Sequence, residues 1–235
     1  MLSGLGVVVV AAGKGKKDED GGKQAVSAYS GKADSGVFSG AFFQGLKEVD
    51  SIVLVTGESD VERCRDYIEQ YGLYKVKSVV AGGSERQHSV YEGLQALPDN
   101  TEWVMVHDAV RPFARPEAVL SCWRHVREKD AAVLAVPVKD TIKVVNDAGA
   151  IESTPDRCSL WAIQTPQAFR LSLLMEAHKR AAEEQFIGTD DSMLVERIGY
   201  PVHVVESDYT NVKITTPDDL LMAEWILGQR KEEQR

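Results

Sequence analysis

Residues 7–24, "VVVVAAGKGKKDEDGGKQ", run four valines straight into a small, glycine-spaced, lysine-rich loop. A continuous β-branched run suits a strand covered on both faces, and open α/β sheets bind ligands beyond the carboxyl ends of such strands. Ala11, Ala12 and Gly13 let a ligand approach the backbone closely. Gly13 and Gly15 can take positive φ and turn amide N–H groups toward an anion. Lys14, Lys16, Lys17 and Lys23 supply positive charge, whereas Asp18, Glu19 and Asp20 repel phosphate unless they point away or a divalent cation intervenes. The loop is neither a GxxxxGK[ST] phosphate loop nor a GxGxxG turn. A plain strand-to-helix turn with solvated lysines is the competing reading.

Working outward, short apolar runs recur at Ile52–Val55, Val76–Val80, Trp103–Val106 and Ala132–Val138. Between them lie stretches of helical spacing. Val61, Cys64, Ile68 and Tyr71 form one stripe and Val90, Leu94 and Leu97 another. Val119, Trp123 and Val126 form a third behind Pro116. Ser84 and Gln87 are spaced for a capping box. Alternation of strand and helix predicts an α/β fold with a mainly parallel sheet and right-handed crossovers. "DTIKVVNDAGAIESTPDR" breaks the alternation. Its pieces Ile142–Val145 and Ala150–Ser153 flank the turn "NDAG" and predict a hairpin, which alone is marginal in water and needs something to pack on. A helix over Leu171–Glu184, strands over Val202–Glu206 and Val212–Ile214, and a helix from Pro217 to about Gly228 complete the pattern, with a frayed charged tail. "ADSGVFSGAFF" is poor helix material because of Gly36 and Gly40. The whole of residues 1–235 reads as one domain, with 139–158 as an arm.

The chain has 235 residues and a formal net charge of −9, which argues against a nucleic-acid partner and requires any phosphate ligand to meet a local basic cluster. Its three cysteines lack metal or redox spacing, and its longest N-terminal apolar stretch is too short to span a membrane or serve as a signal peptide. A cytoplasmic location is expected.

Three further constellations carry polar chemistry. In "AGGSERQHSV", Gly82 and Gly83 end a strand, and Ser84 or Ser89 offers a hydroxyl to a base or sugar. In "VMVHDAVRPF", Asp108 ends a buried strand at the same edge as the first loop, where a carboxylate can accept from ribose hydroxyls or hold Mg²⁺. Arg111 can pair with Asp108 or meet phosphate. His107 reads as a core or supporting residue rather than a metal ligand. Finally, "KDTIK", "DRCSLWAIQTPQAF", "GTDD" and "NVKITTPDDL" scatter Thr141, Arg157, Thr165, Thr189 and Lys213, a mixture of hydroxyls and cations suited to a phosphate dianion. "TPDDL" is also a helix start, with Thr216 as cap and Pro217 in the first position.

Taken together, "AGGSERQHSVYEGL", "VHDAVRPF", "AVPVKDTIK", "SLWAIQTPQAF", "GTDD" and "NVKITTPDDL" resemble the 2-C-methyl-D-erythritol 4-phosphate cytidylyltransferase family. The resemblance implies a Rossmann-like nucleotidyltransferase fold, Mg²⁺ dependence and a homodimer joined by a projecting hairpin arm. It implies CTP contacts from Ala11, Ala12, Gly13, Gly83, Ser89, Asp108, Ala109 and Arg111. Thr141, Arg157, Thr165, Thr189 and Lys213 would hold the methylerythritol phosphate, with Thr141 and Arg157 supplied by the partner's arm. Lys17 and Lys23 fall on or near two basic positions that steady the transition state. The opening third departs from the family pattern: Lys17 and Asp18 stand where an arginine and a methionine are usual, and the stretch to Lys23 is about one residue shorter. Two other readings stay open at this point. One is a ribitol-5-phosphate cytidylyltransferase; the other is a weakened nucleotide- or sugar-phosphate-binding homologue with an atypical 17–43 segment.

Overall fold

The computed structural model describes residues 4–12 and 32–233, so Gly13, Lys17 and Lys23 lie outside the described residues. In chain order the elements are β1 (Leu5–Val10), α1 (Lys32–Gln44), β2 (Val49–Thr56), α2 (Val61–Gln70), β3 (Val76–Ala81) and α3 (Arg86–Gln95). They continue with β4 (Trp103–Asp108), α4 (Pro116–Lys129), β5 (Ala131–Pro137), β6 (Val144–Val145) and β7 (Ile151–Ser153). The last are β8 (Trp161–Arg170), α5 (Leu171–Glu183), α6 (Asp191–Arg197), β9 (His203–Glu206) and α7 (Pro217–Glu233). A seven-stranded sheet has the order β3-β2-β1-β4-β8-β5-β9. All neighbours pair in parallel except β8, which runs antiparallel to both β4 and β5.

Residues alternate across the pleat, so the valine run of β1 feeds two cores at once. Val7 and Val9 join the layer holding residues of α1, α2 and α4, while Val8 and Val10 join the layer holding residues of α3, α5 and α6. Continuous hydrophobicity in β1 and β4 follows from burial on both faces. Phe43 is fully buried and meets Phe42 and His107 edge-on, at 5.0 and 5.1 Å between ring centroids. A third, small cluster of Phe113, Ala223 and Ile226 seats α7 beneath the segment after β4.

Several expectations need correction. The "ADSGVFSGAFF" stretch is helical despite its glycines. A Cβ at Gly36 would lie 3.2 Å from that of Ala11, so the missing side chain lets α1 cross close over the end of β1. The Ser84–Gln87 capping box does not form: α3 starts one residue later, with Glu85 as its cap residue and no side-chain cap bond. Ser84 instead pairs with the His88 ring, and Gln87 reaches Phe186 O and Gly188 N. Val212–Ile214 is not a strand; it is a loop tied down by Ile214 N donating to Val110 O. The charged tail continues α7 to Glu233, and Arg230 anchors it by donating to Phe113 O at 2.6 Å. The sequence pattern missed β8 altogether. Pro166 sits inside it and cannot donate to a ladder, and the register slips there, with Gln167 opposite Val133 and Ile163 opposite Ala135.

The hairpin is present as β6 and β7, with Gly149 at φ +79° in its turn. Every residue from Lys139 to Thr154 is exposed, including Ile142, Val144, Val145 and Ile151.

Gly40 lies inside α1 with 3.7 Å to its nearest neighbours from a built Cβ, which is ordinary van der Waals contact. Gly40→Ala should stabilise the native state by about 0.5–1 kcal/mol through lower unfolded-chain entropy. The urea midpoint would rise; a lowered midpoint would mean that α1 packs more tightly than described.

Candidate active site

Four parallel strands, β3, β2, β1 and β4, finish on one edge of the sheet, which places Ala81, Thr56, Ala11 and Ala109 side by side. Ala11 N donates to Val55 O, Gly82 N to Thr56 O and Ala109 N to Val10 O. The loops there fit against one another with no space for side chains. A Cβ on Gly82 would come 2.3 Å from that of Ala12, and one on Gly83 would come 2.4 Å from that of His88. Ser89, by contrast, is fully buried, and its hydroxyl donates to Glu85 O, so it secures the first turn of α3.

Asp108 ends β4 with 10% of its side chain exposed, and both oxygens are met by cations. Arg86 Nε donates to Oδ1 at 3.0 Å and Lys213 Nζ to Oδ2 at 3.0 Å. Burial pushes this carboxyl upward, but Arg86 and Lys213 outweigh it and hold the group well below the usual carboxylate range. Arg86 also donates through Nη1 to Asp191 at 2.8 Å. Burial would likewise raise Asp191, yet Arg86 keeps it low, with His178 3.4 Å away on the other oxygen. Arg111 is half-buried and shares this neighbourhood: Nη1 donates to Asn211 O at 2.8 Å, and Nε is buried without a partner. Among the described residues, three cations thus lie beside the Asp108 and Asp191 carboxylates, a local gathering of positive charge in a chain of net charge −9.

Beneath Asp108 lies a directed hydrogen-bond chain. His107 Nε2 is 3.1 Å from Arg111 O, an acceptor only, so that nitrogen carries the proton. Nδ1 therefore accepts from the Thr165 hydroxyl, which in turn accepts from Asp108 N. Thr165 is buried with its proton already committed, and it acts on the site from below. Lys213 is placed by its neighbours: Asn211 Nδ2 donates to Gln164 Oε1 and Thr165 O, and Ile214 N to Val110 O.

The remaining sequence candidates fall into two groups. Thr189 is exposed in the 186–190 loop, where its hydroxyl faces Met193 sulfur. Gln87 and Gln167 fix that loop: Gln87 bonds Phe186 O and Gly188 N, and Gln167 Oε1 accepts from Asp191 N and Ser192 N. Thr141 and Arg157 stand on the exposed arm, with Arg157 donating to Lys139 O, and neither bonds to the Asp108 cluster. Sequence reasoning missed Arg86, Asp191, His178 and Gln167. Arg86 left a signal: a cation in the first turn of a helix opposes the helix dipole, so carboxylates had to answer it.

For a metal, no group of three His, Cys, Asp or Glu residues suited to one occurs among the described residues. Asp108 has both oxygens satisfied by cations, so this edge is shaped for anions. A Mg²⁺ ion fits only as one carried mainly by substrate phosphates with a single protein carboxylate.

Fold and edge together are those of a nucleotidyltransferase. Comparison with known proteins narrows this. The family model for 2-C-methyl-D-erythritol 4-phosphate cytidylyltransferase (IspD) matches residues 5–229. A protein of that name from Alkaliphilus metalliredigens is 43% identical over 235 residues, covering 99% of this chain and 96% of its own length. One from Geobacillus thermodenitrificans is 47% identical over 223 residues, covering 95% and 96%. The crystal structure of 4-diphosphocytidyl-2C-methyl-D-erythritol synthase from Anaerococcus prevotii superposes with a TM-score of 0.81 at 32% identity, covering 97% and 98% of the two chains. The Francisella tularensis cytidylyltransferase gives 0.75 at 29% identity, covering 94% and 98%. The chain belongs to the 2-C-methyl-D-erythritol 4-phosphate cytidylyltransferase family and is a cytidylyltransferase enzyme. The ribitol and weakened-homologue readings are not favoured.

Burial lowers the His107 pKa from 6.5 to about 4. The folded imidazole therefore resists a proton that the unfolded chain accepts below about pH 6.5. Stability should fall by up to about 3 kcal/mol as pH drops from about 6.5 to about 4, then stop falling on this account. Urea unfolding across that window should show a shallower pH slope in His107→Gln. An unchanged slope would assign the loss to other groups.

Proposed function

We propose that this chain transfers CMP from CTP to 2-C-methyl-D-erythritol 4-phosphate by in-line attack of the sugar phosphate on the α-phosphorus, releasing pyrophosphate. The observation that carries this reading is the family match over residues 5–229, which spans every segment of the cation-rich edge around Asp108. A phosphate monoester has a second pKa of about 6, so the nucleophile is ionised at neutral pH without a general base. The protein must then align two anions and neutralise charge along the line of transfer, which is positioning and electrostatics.

In this reading Ala11, Ala12, Gly13 and Gly83 pass backbone groups to the base. Ser89 keeps the α3 end of that wall in place. Asp108 and Ala109 face the ribose, and the half-buried Arg111 is assigned to a phosphate. Lys213 has an exposed side chain tethered only at its tip, so it can turn from Asp108 to the attacking phosphate. Thr189 faces the same phosphate from its fixed loop, and Thr165 supports the Asp108 backbone. Lys17 and Lys23, outside the described residues, are assigned to the triphosphate. Mg²⁺ bound to the nucleotide, with Asp108 as its protein contact, would offset charge on the leaving pyrophosphate.

Thr141 and Arg157 require a second subunit in this reading. Support comes from the arm itself, whose Ile142, Val144, Val145 and Ile151 are exposed on a two-stranded hairpin too small to be stable alone. We therefore assign the working form as a homodimer, located in the cytoplasm.

Three outcomes test this. Pyrophosphate release from CTP and Mg²⁺ should need methylerythritol phosphate and should not occur with ribitol 5-phosphate; the reverse preference would overturn the substrate assignment. Arg157→Ala should lower kcat/KM for the sugar phosphate by about 100-fold or more, because a cation facing a dianion is lost. Native kinetics would remove Arg157 from the site. Ile151→Asp should shift the sedimenting species toward monomer and lower activity in parallel, whereas a persistent dimer would place the interface elsewhere.

A further inference from the structure

Arg86 contacts two carboxylates that belong to different halves of the site. Asp108 ends β4 on the nucleotide side, and Asp191 begins α6 just past the loop that carries Thr189. The guanidinium spans them with Nε at 3.0 Å from Asp108 and Nη1 at 2.8 Å from Asp191. Asp191 is 1% exposed at its side chain, and its second oxygen lies against buried His178, whose ring stacks on Tyr91 of α3. Gln87, the next residue along α3, adds two hydrogen bonds to the same loop, at 3.0 and 2.8 Å. One turn of α3 is thereby clamped between the strand end and the loop.

Building on the functional reading above, we propose that Arg86 is a positioning residue whose two-carboxylate bridge, Asp108–Arg86–Asp191, holds the nucleotide side and the sugar-phosphate side of the site in register. A planar guanidinium presents its donors to two carboxylates in a rigid fork, whereas the three donors of an ammonium rotate on a flexible stem and fix neither direction. The bridge also engages one oxygen of Asp108, so Lys213 is not the sole counter-ion there and remains able to swing toward the incoming phosphate. Residues that only set the alignment of two bound reactants act on the chemical step more than on either affinity, since a displacement of about 1 Å can cost about 100-fold in rate.

The test uses the full chain carrying Arg86→Lys, Asp191→Asn, or both, with kcat and both KM values measured under saturating partner substrate. Each single change should lower kcat about 10- to 100-fold while KM for CTP moves by less than about threefold. The double variant should be no slower than the worse single one, because both changes cut the same bridge. If Arg86→Lys does not fold, Asp191→Asn decides alone, since residue 191 keeps its backbone bond to Gln167 while the neutral amide loses the charge-assisted pairing that forms this arm of the bridge. A folded variant with kcat within about twofold of native, or effects that multiply in the double variant, would overturn the bridge. An inactive native enzyme would bring down the functional reading and the bridge together, whereas an active native enzyme with unaffected variants would bring down the bridge alone.

Discussion

The Asp108 carboxylate sits at the end of a fully buried strand and stays ionised there because Arg86 and Lys213 each approach it at 3.0 Å. Breaking a buried pair by removing one partner typically costs about 3–5 kcal/mol, because the remaining charge is stranded out of water. The three residues come from β4, the first turn of α3 and the loop before α7, so the site cannot be assembled without those segments closing on one another. Asp191 adds a fourth segment through Arg86. Val90 and Leu94 pack α3 into the core, and the ion pairs add direction, fixing where the first turn of α3, the start of α6 and the 211–214 loop meet the sheet edge.

The parts of the fold that were legible in the sequence are those in which local pattern and burial agree. The valines of β1 serve a core layer on each face, and the stripe of α4 with Val61, Cys64 and Ile68 of α2 serves one of them, so their patterns identify them; Tyr71, expected on the α2 stripe, is exposed. β8 escaped because its middle is Gln164, Thr165 and Pro166, chosen for contacts with Asn211, His107 and the bulge rather than for strand propensity. α1 was misread for the opposite reason: Gly36 lowers helix propensity, but its missing side chain permits the close crossing over Ala11. Tertiary contacts decided both elements.

The site was legible where one residue presents a distinctive group at a strand end, as Asp108 does. Residues that act through others were hidden. Arg86 and Asp191 lie 105 positions apart, and nothing in spacing joins them until the α3 and α6 ends are brought together. Lys213, Thr165 and Thr189 stood out only as scattered hydroxyls and a cation, and the resemblance joined them, because residues so far apart in sequence carry no shared periodic signal. Thr165 differs from its expected place: it lies beneath the carboxylate with its proton given to His107, instead of open to a ligand.

The sign of the charge at this edge is a product of folding. Over its whole length the chain is acidic, so in the unfolded ensemble an anion meets net repulsion. Among the described residues, folding gathers Arg86, Arg111 and Lys213 near the carboxylates of Asp108 and Asp191, with Arg111 Nε buried and unpaired. In the proposed reading a phosphate ligand would bind the native state alone, so binding and folding of this edge would favour one another through ordinary linkage. In that reading no general base is required: a pre-ionised nucleophile needs a positive, rigid and partly desolvated place in which to approach a second anion. A carboxylate held low by two cations gives that place a fixed geometry without cancelling its charge.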